Sequence, residues 1–265
     1  MAARAIWKAV VALDDMELPV KLYSAVEDRR VHFRLLHAAD RHPVEQRMVH
    51  PRTGDVVPPT EFRRGLERPS AGTLTILDAD ELEKAQPEPS RVIEITRFVP
   101  TDSIGMAWYE RPFYLGPDGS VDEDYFALAE ALADLRREGV ARWTMRKNRY
   151  VGALRSTGGY LVLTTLRFAG EVVESEELGA PEGPEPSAKE RKMAGQLMKL
   201  LEGHFEAADF ENHYRARVRE LIESKAAGQT IALRRPVPRP ATPDLSAALS
   251  RSLERIAHQE RRRAS

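Results

Sequence analysis

Alternation with a period of two runs through roughly the first 170 residues and constrains the fold more than any other feature. Val20, Leu22 and Ser24 alternate with Lys21 and Tyr23, and Val31, Phe33 and Leu35 alternate with His32 and Arg34. The pattern returns at Val92 to Val99, at Val140 to Met145 with Ala141, Trp143 and Met145 on one face, and at Leu161 to Leu166. Successive side chains of a strand point to opposite faces, so each run predicts a half-buried strand. Gly158-Gly159 between two apolar runs, Tyr150 to Leu154 and Tyr160 to Leu166, predicts a hairpin.

Two helices interrupt these strands. Asp78-x-x-Glu81 is a capping box for a short helix that must end near Pro87. Ser120-x-x-Glu123 opens a second, with Tyr125, Leu128, Ala129, Leu132 and Leu135 on one stripe and Gly139 as its stop. That helix is expected to cover one end of a barrel. Gly179 to Pro186 reads as a linker, and the pattern beyond it is helical. Ser187-x-x-Glu190 starts a helix with Met193, Leu197, Leu200 and Leu201 inward. Another runs from about Asp209 to Ala227, with Tyr214, Val218, Leu221 and Ile222 inward and Gly228 at its end. Arg234 to Pro243 is an extended, proline-rich tether. A final amphipathic helix spans about 242–260, with Leu245, Leu249, Leu253 and Ile256 on one face, and Arg261-Arg262-Arg263 follows it. No internal repeat is visible.

Composition removes several function classes. The 265 residues contain no cysteine, which excludes disulfides, thiolate nucleophiles and cysteine-ligated zinc. No apolar run approaches the roughly 18 to 20 residues needed to cross a bilayer, and no signal peptide is expected. Location in the cytoplasm is the default. There is no nucleophile elbow, phosphate loop or metal-ligand cluster. The formal net charge is −1, but its signs are segregated. Residues 29 to 68 hold nine arginines against five carboxylates, and residues 225 to 265 hold nine basic side chains against three. Glu171 to Glu190 carries seven glutamates and one basic residue, Lys189. One basic surface and an acidic outer face suit a polyanion binder, although solvated surface charge gives the same composition.

Arg4-Ala5-Ile6-Trp7-Lys8, Val20 to Ala25 and Val31 to His37 together resemble the opening of the Ku family, proteins that encircle broken ends of double-stranded DNA. The likeness continues through Trp108-Tyr109-Glu110-Arg111-Pro112-Phe113-Tyr114-Leu115-Gly116-Pro117, then Gly139 to Arg146 and Ala153-Leu154-Arg155. Leu161 to Val172 resembles the strand that closes the family's barrel, and Asn212-His213-Tyr214-Arg215 its later helical arm. Order and spacing hold from about residue 2 to residue 228. The resemblance implies a mixed β and α fold. Residues 1–178 would be a core β-barrel with bridging strands and loops forming a DNA-encircling ring. Residues 179–228 would be a helical arm, and 229–265 a basic extension, partly disordered, that carries the tail helix. It further implies a homodimer in the nucleoid-associated cytoplasm, linear double-stranded DNA ends as ligand, and the ATP-dependent DNA ligase of bacterial end joining as partner. No cofactor, metal or membrane enters. Two departures stand out. Leu13-Asp14-Asp15 replaces the family's usual Phe-Gly-Leu step, and His50 and Thr53 replace a Cys-x-x-Cys pair found in some relatives, removing any metal site there.

A DNA end has no fixed sequence, so its binder needs Lys/Arg contact to phosphates without base readout. Arg29, Arg30, Arg34, Arg41, Arg47, Arg52, Arg63 and Arg64 are the leading candidates, and Arg142, Arg146, Lys147 and Arg149 form a second patch along a strand and its turn. Pairing of the first group with Asp55, Glu61 and Glu67 is the competing expectation. Four histidines, His32, His37, His42 and His50, match no recognised zinc spacing. Trp7, Trp108 and Trp143 read as core. Leu245, Leu249, Leu253 and Ile256 would dock in a groove on the ligase, or would lie on a membrane or clamp DNA as a basic amphipathic helix. An enzyme would have to draw its acid and base from pairs such as Asp14/Asp15 or Glu45/Glu61, which no spacing singles out. A third reading is an assembly protein that uses the barrel only to dimerise.

Overall fold

The computed structural model describes residues 4–67, 72–119, 123–183, 185–229, 249–252 and 254. By contact it divides into two units: Met1–Arg29 with Phe33–Glu177, and Arg30–His32 with Leu178–Ser265.

The first unit is a closed barrel of seven strands. These are β1 (Trp7–Leu13), β2 (Met16–Ser24), β5 (Val92–Pro100), β6 (Tyr109–Pro117), β7 (Arg137–Met145), β8 (Asn148–Thr157) and β9 (Tyr160–Leu166), ordered β1-β2-β6-β9-β8-β7-β5. Antiparallel ladders join all neighbours except β1 and β5, which pair in parallel through Val10–Val92, Val11–Ile93 and Ala12–Glu94. Period-two alternation sets the inside face. Ala9, Val11, Leu18, Val20, Leu22, Ile93, Ile95, Phe113, Leu115, Ala141, Trp143, Met145, Leu161 and Leu163 are buried, and their alternates face out. Burying each large side chain contributes about 1.5 to 3 kcal/mol. Closure leaves none of the seven strands with an unpaired edge.

The hairpin at Gly158-Gly159 forms as the sequence predicts, with both glycines at positive φ (59° and 79°). Asp14 and Asp15 turn β1 into β2, Asp14 at φ 51°. α2 (Glu123–Asp134) buries Tyr125, Leu128, Ala129 and Leu132 in the barrel core. The hydroxyl of Tyr125 donates to the Leu115 carbonyl at 2.6 Å and accepts from the Leu161 amide at 2.9 Å, tying the helix to β6 and β9. Ser120, its expected cap, lies outside the described residues.

Several expectations are corrected. Gly139 does not stop α2, which ends at Asp134; Arg136 takes the left-handed conformation (φ 50°) instead. Gly139 lies inside β7, where a Cβ would meet Ile95 and Phe98 at 3.1 and 3.2 Å. Leu135 is consequently past the helix and exposed. Leu161 to Val172 is a strand only as far as Leu166. Val31 to Leu35 forms no strand, because no neighbouring segment offers it a ladder, and Phe33 and Leu35 are exposed. Of the tryptophans, Trp143 is core, Trp7 packs on the core, and Trp108 is half-buried in a 3₁₀ turn outside it.

Between β2 and β5 lies an insertion. It contains two isolated bridges (Leu36–Pro43 and Val49–Val56), the hairpin of β3 (Arg64–Glu67) and β4 (Leu74–Leu77), and α1 (Ala79–Lys84). The Glu81 carboxylate accepts from the Asp78 amide at 2.9 Å, as the capping box requires.

The second unit contains α3 (Ala188–Leu200) and α4 (His213–Ala226). Ser187 and Glu190 form the expected box. α4 begins at His213, not Asp209; Asn212 caps it, and Ala207–Asp209 is a separate 3₁₀ turn. Gly228 ends it at φ 73°. Neither helix has a buried residue. Met193, Leu197, Val218 and Leu221 are half-buried, whereas Leu200, Leu201, Tyr214 and Ile222, expected inward, are exposed, since no described element packs over them. Phe205 and Phe210 stack on each other at 5.1 Å between the helices. In the tail, Leu249 lies in a helical stretch and is half-buried. Leu245, Leu253, Ile256, the 234–243 tether and Arg261 to Arg263 lie outside the described residues.

Candidate nucleic-acid interface

Among the described residues, the arginines between β2 and β4 (Arg29, Arg30, Arg34, Arg41, Arg47, Arg52, Arg63 and Arg64) are exposed, because the insertion is too thin to bury a side chain. Arg29 pairs with Glu27 at 2.7 Å and Arg47 with Glu45 at 3.4 Å. These are near neighbours in sequence, not the Asp55, Glu61 and Glu67 that the sequence suggested. Both pairs are solvated and hold the cations only weakly, each worth about 0 to 1 kcal/mol. Arg30 falls in the second unit with the helical arm. Arg34 precedes the first isolated bridge, Arg41 sits at its tip with φ 61°, and Arg52 is in the turn of the second.

Arg63 and Arg64 lead into β3. The Arg63 guanidinium donates to the carbonyls of Thr60 (3.3 Å) and Phe62 (3.1 Å), which folds it back along the chain. Both arginines line one groove with Lys147 from the β7–β8 turn, so the structure brings a member of the second patch to the first. The groove's other wall carries Asp78, Asp80 and Glu83 of the α1 segment, with Glu83 3.9 Å from Lys147. Of these carboxylates the sequence reading named only Asp78, as a helix cap, and weighed none of them against the arginines. The only signal for them was the capping box, which places acid at this helix start for its own reasons.

Arg142 is on the outer face of β7, beside Glu94 of β5 and Val151 of β8, and Arg149 is on β8 opposite Thr144. Arg146 and Lys147 are the two central residues of a hairpin turn, at φ 50° and 71°. Arg142 and Arg149 share a second groove with Asp14, Ser90, Glu94, Trp143 and Tyr150, where Trp143 stacks on Tyr150 at 5.4 Å. The two clusters therefore meet at Lys147, while Arg142 and Arg149 stand apart.

The turn chemistry keeps one acid away from the cations. Asp40 accepts from the His42 amide (3.0 Å) and bonds His37 Nδ1 (2.9 Å). The His42 amide, with His37, holds its carboxyl below the usual carboxylate range. Nothing in this arrangement pairs an acid with a base over a buried nucleophile. It offers exposed cations on irregular backbone and strand tips, which is what contact with a phosphate backbone uses.

Residues 12–193 match the family model described as the Ku70/Ku80 beta-barrel domain. Whole-chain relatives agree. "Non-homologous end joining protein Ku 2" of Geotalea uraniireducens (strain Rf4) is 39% identical, over 97% of this chain and 100% of the relative. "Non-homologous end joining protein Ku" of Heliobacterium modesticaldum is 33% identical over 100% and 96%, and the protein so named from Anaeromyxobacter sp. (strain K) 36% identical over 95% and 85%. Since the match spans six of the seven barrel strands in full and the end of β1, and the similarity continues into the helical arm, the chain belongs to the Ku family.

Proposed function

We propose that this protein is a homodimeric DNA-end-binding protein of non-homologous end joining. It threads onto linear double-stranded DNA without reading sequence, and recruits and stimulates a dedicated ATP-dependent DNA ligase. The observation that carries the reading is whole-length similarity to relatives named for end joining, on a barrel whose insertion bears exposed arginines. The reaction needs no catalytic residue in this chain. Lys/Arg side chains neutralise phosphates and release counterions, which gives affinity. Enclosure gives specificity, since a closed ring slides onto a free end and cannot enter a covalently closed circle.

Dimerisation has support in what a single copy leaves uncovered. Met198, Leu200, Leu201, Phe205, Phe210, Tyr214 and Ile222 of the second unit are exposed, more large apolar side chains than a free helical pair tolerates in water. A second copy is the proposed cover. The segment 242–265 is the proposed ligase-docking tail, with Leu245, Leu249, Leu253 and Ile256 as its apolar face. Among the described residues no helix is long and apolar enough to cross a membrane, and the proposed location is the nucleoid.

The test is a gel-shift comparison of linear duplex, covalently closed circle and relinearised circle. Binding to linear DNA alone, with protein trapped once the ends are ligated, is the expected result. Equal affinity for the closed circle would sink the threaded ring.

A further inference from the structure

Two stretches of the insertion repeat each other at an offset of 13 residues, and the repetition is almost invisible in sequence. Residues 34–44 read Arg-Leu-Leu-His-Ala-Ala-Asp-Arg-His-Pro-Val, and residues 47–57 read Arg-Met-Val-His-Pro-Arg-Thr-Gly-Asp-Val-Val. Only the arginine, the histidine and the final valine are shared.

The backbone correspondence is far closer. The bridge Leu36–Pro43 matches Val49–Val56. His37 N–H donates to the His42 carbonyl at 2.8 Å, and His50 N–H to that of Asp55 at 2.8 Å. Arg41 N–H donates to the His37 carbonyl at 2.9 Å, and Gly54 N–H to that of His50 at 2.8 Å. Val44 N–H meets the Leu35 carbonyl, and Val57 N–H that of Met48. The fifth turn position is left-handed in both, Arg41 at 61° and Gly54 at 79°.

The side chains that pin the turns correspond too. His37 bonds Asp40 at 2.9 Å, and His50 bonds Thr53 at 3.4 Å. The His42 amide donates to Asp40, and the Asp55 amide to Thr53. Each turn is thus a knuckle closed by a histidine and an oxygen side chain three residues on.

This frame has an electrostatic consequence. The carboxylate of Asp40 is spent on closing its own knuckle, and Thr53 does the same work without charge. The first knuckle leaves Arg34 and Arg41 exposed, the second Arg47 and Arg52. Among the described residues only Arg47 of these four has an acidic partner, the solvated Glu45. Arg34 and Arg47 hold the same position in their knuckles, whereas Arg41 stands where the second knuckle has Gly54 and Arg52 where the first has Ala39.

Resting on the end-binding reading above, we infer that residues 34–57 form a tandem of two phosphate-contacting knuckles of matching backbone, each presenting two arginines to the duplex backbone. A repeated cation-bearing unit is a natural match for a ligand whose own charge is periodic, about one phosphate per 1.7 Å of duplex axis. Such a unit needs no base contacts, because its register comes from the repeat.

The test measures the salt dependence of binding to a short linear duplex for the unsubstituted chain, R34Q/R41Q, R47Q/R52Q and the quadruple variant. Circular dichroism and thermal melting check the fold of each. Each double variant should reduce the magnitude of the slope of log K against log salt by about 1.8, and the quadruple by about 3.6. A loss in one double variant alone would overturn the tandem. No loss in either, with the unsubstituted chain still binding linear DNA, would remove the knuckles from the interface and leave the end-binding reading standing. Absence of binding by the unsubstituted chain would overturn both.

Discussion

Arg155 and Glu138 form an ion pair inside the barrel wall, the guanidinium 2.8 Å from a carboxylate with no solvent exposure. Tyr109 completes the cluster. Its hydroxyl donates to the other Glu138 oxygen at 2.7 Å and lies 2.8 Å from the Arg155 guanidinium, which also stacks over the Tyr109 ring at 4.9 Å. Three strands, β6, β7 and β8, are thereby joined across their side chains. Removing one partner of a buried pair leaves a charge that water cannot reach. The two partners differ, however, for Arg155 keeps 35% of its side chain in solvent and Glu138 keeps none. R155M is therefore expected to destabilise more than E138Q. Urea unfolding should give about 3 kcal/mol for the first, the low end for a broken buried pair because one member is part-exposed, and about 1 to 2 kcal/mol for the second. The reverse order would mean that Glu138 is solvated through the barrel.

The same cluster makes an alkaline signature. Burial, reinforced by the bonded carboxylate of Glu138, pushes the Tyr109 phenol up to about 12. A phenol raised in the folded state stabilises the fold fully below its ordinary value near 10, and that contribution disappears as pH rises towards 12. Absorbance at 295 nm should show a late tyrosine step near pH 12 in the folded protein, lost in Y109F. If Y109F instead removes a phenol that titrates near 10, the cluster is open to water.

Tyr125 offers a test of how α2 is held. Its hydroxyl meets a carbonyl on β6 and an amide on β9, and burial raises its phenol above the ordinary range. Y125F keeps the ring and strands both backbone groups without their side-chain partner, at a cost of about 1 to 3 kcal/mol. Hydrogen exchange at the Leu161 amide should accelerate along with the loss in urea stability. Unchanged protection at Leu161 would show that the ladder alone holds that amide.

The barrel was legible in sequence because its strands are buried on one side, and burial on one side writes period two into the residues. The same reasoning misled at Val31 to Leu35, where the alternation exists but nothing pairs with it. Pattern records a side chain's preference, whereas a strand also needs a neighbour's backbone. Glu138 went unnoticed because Arg136-Arg137-Glu138-Gly139 reads as a solvated helix end. Only the fold brings Tyr109, 29 residues away, and Arg155, 17 away, onto that carboxylate. The paired knuckles stayed hidden because backbone hydrogen bonds carry the repeat. His-x-x-Asp and His-x-x-Thr close the same turn with different atoms. For the arginines, composition identified the segment, but which cations share a groove depends on the meeting of Arg63 and Arg64 with Lys147, and no spacing on the chain encodes that.

The β7–β8 turn sets stability against charge. A two-residue hairpin with both central residues at positive φ prefers Asn-Gly, because side chains with an ordinary Cβ are strained there. Arg146 and Lys147 occupy those positions at 50° and 71°. The left-handed conformation costs about 1 to 2 kcal/mol per such residue, and the solvated contact of Lys147 with Glu83 at 3.9 Å offsets little of it. Two variants separate strain from charge. R146N/K147G relieves the turn and removes both cations, so the melting temperature should rise by about 2 to 6 °C while the salt slope for linear duplex falls by about 1.8 if both residues contact phosphate. R146Q/K147Q removes the charge and keeps the strain, so the slope should fall equally with no rise in melting temperature. A stabilised R146N/K147G that binds with the original slope would show that the cations at this tip are tolerated, not used.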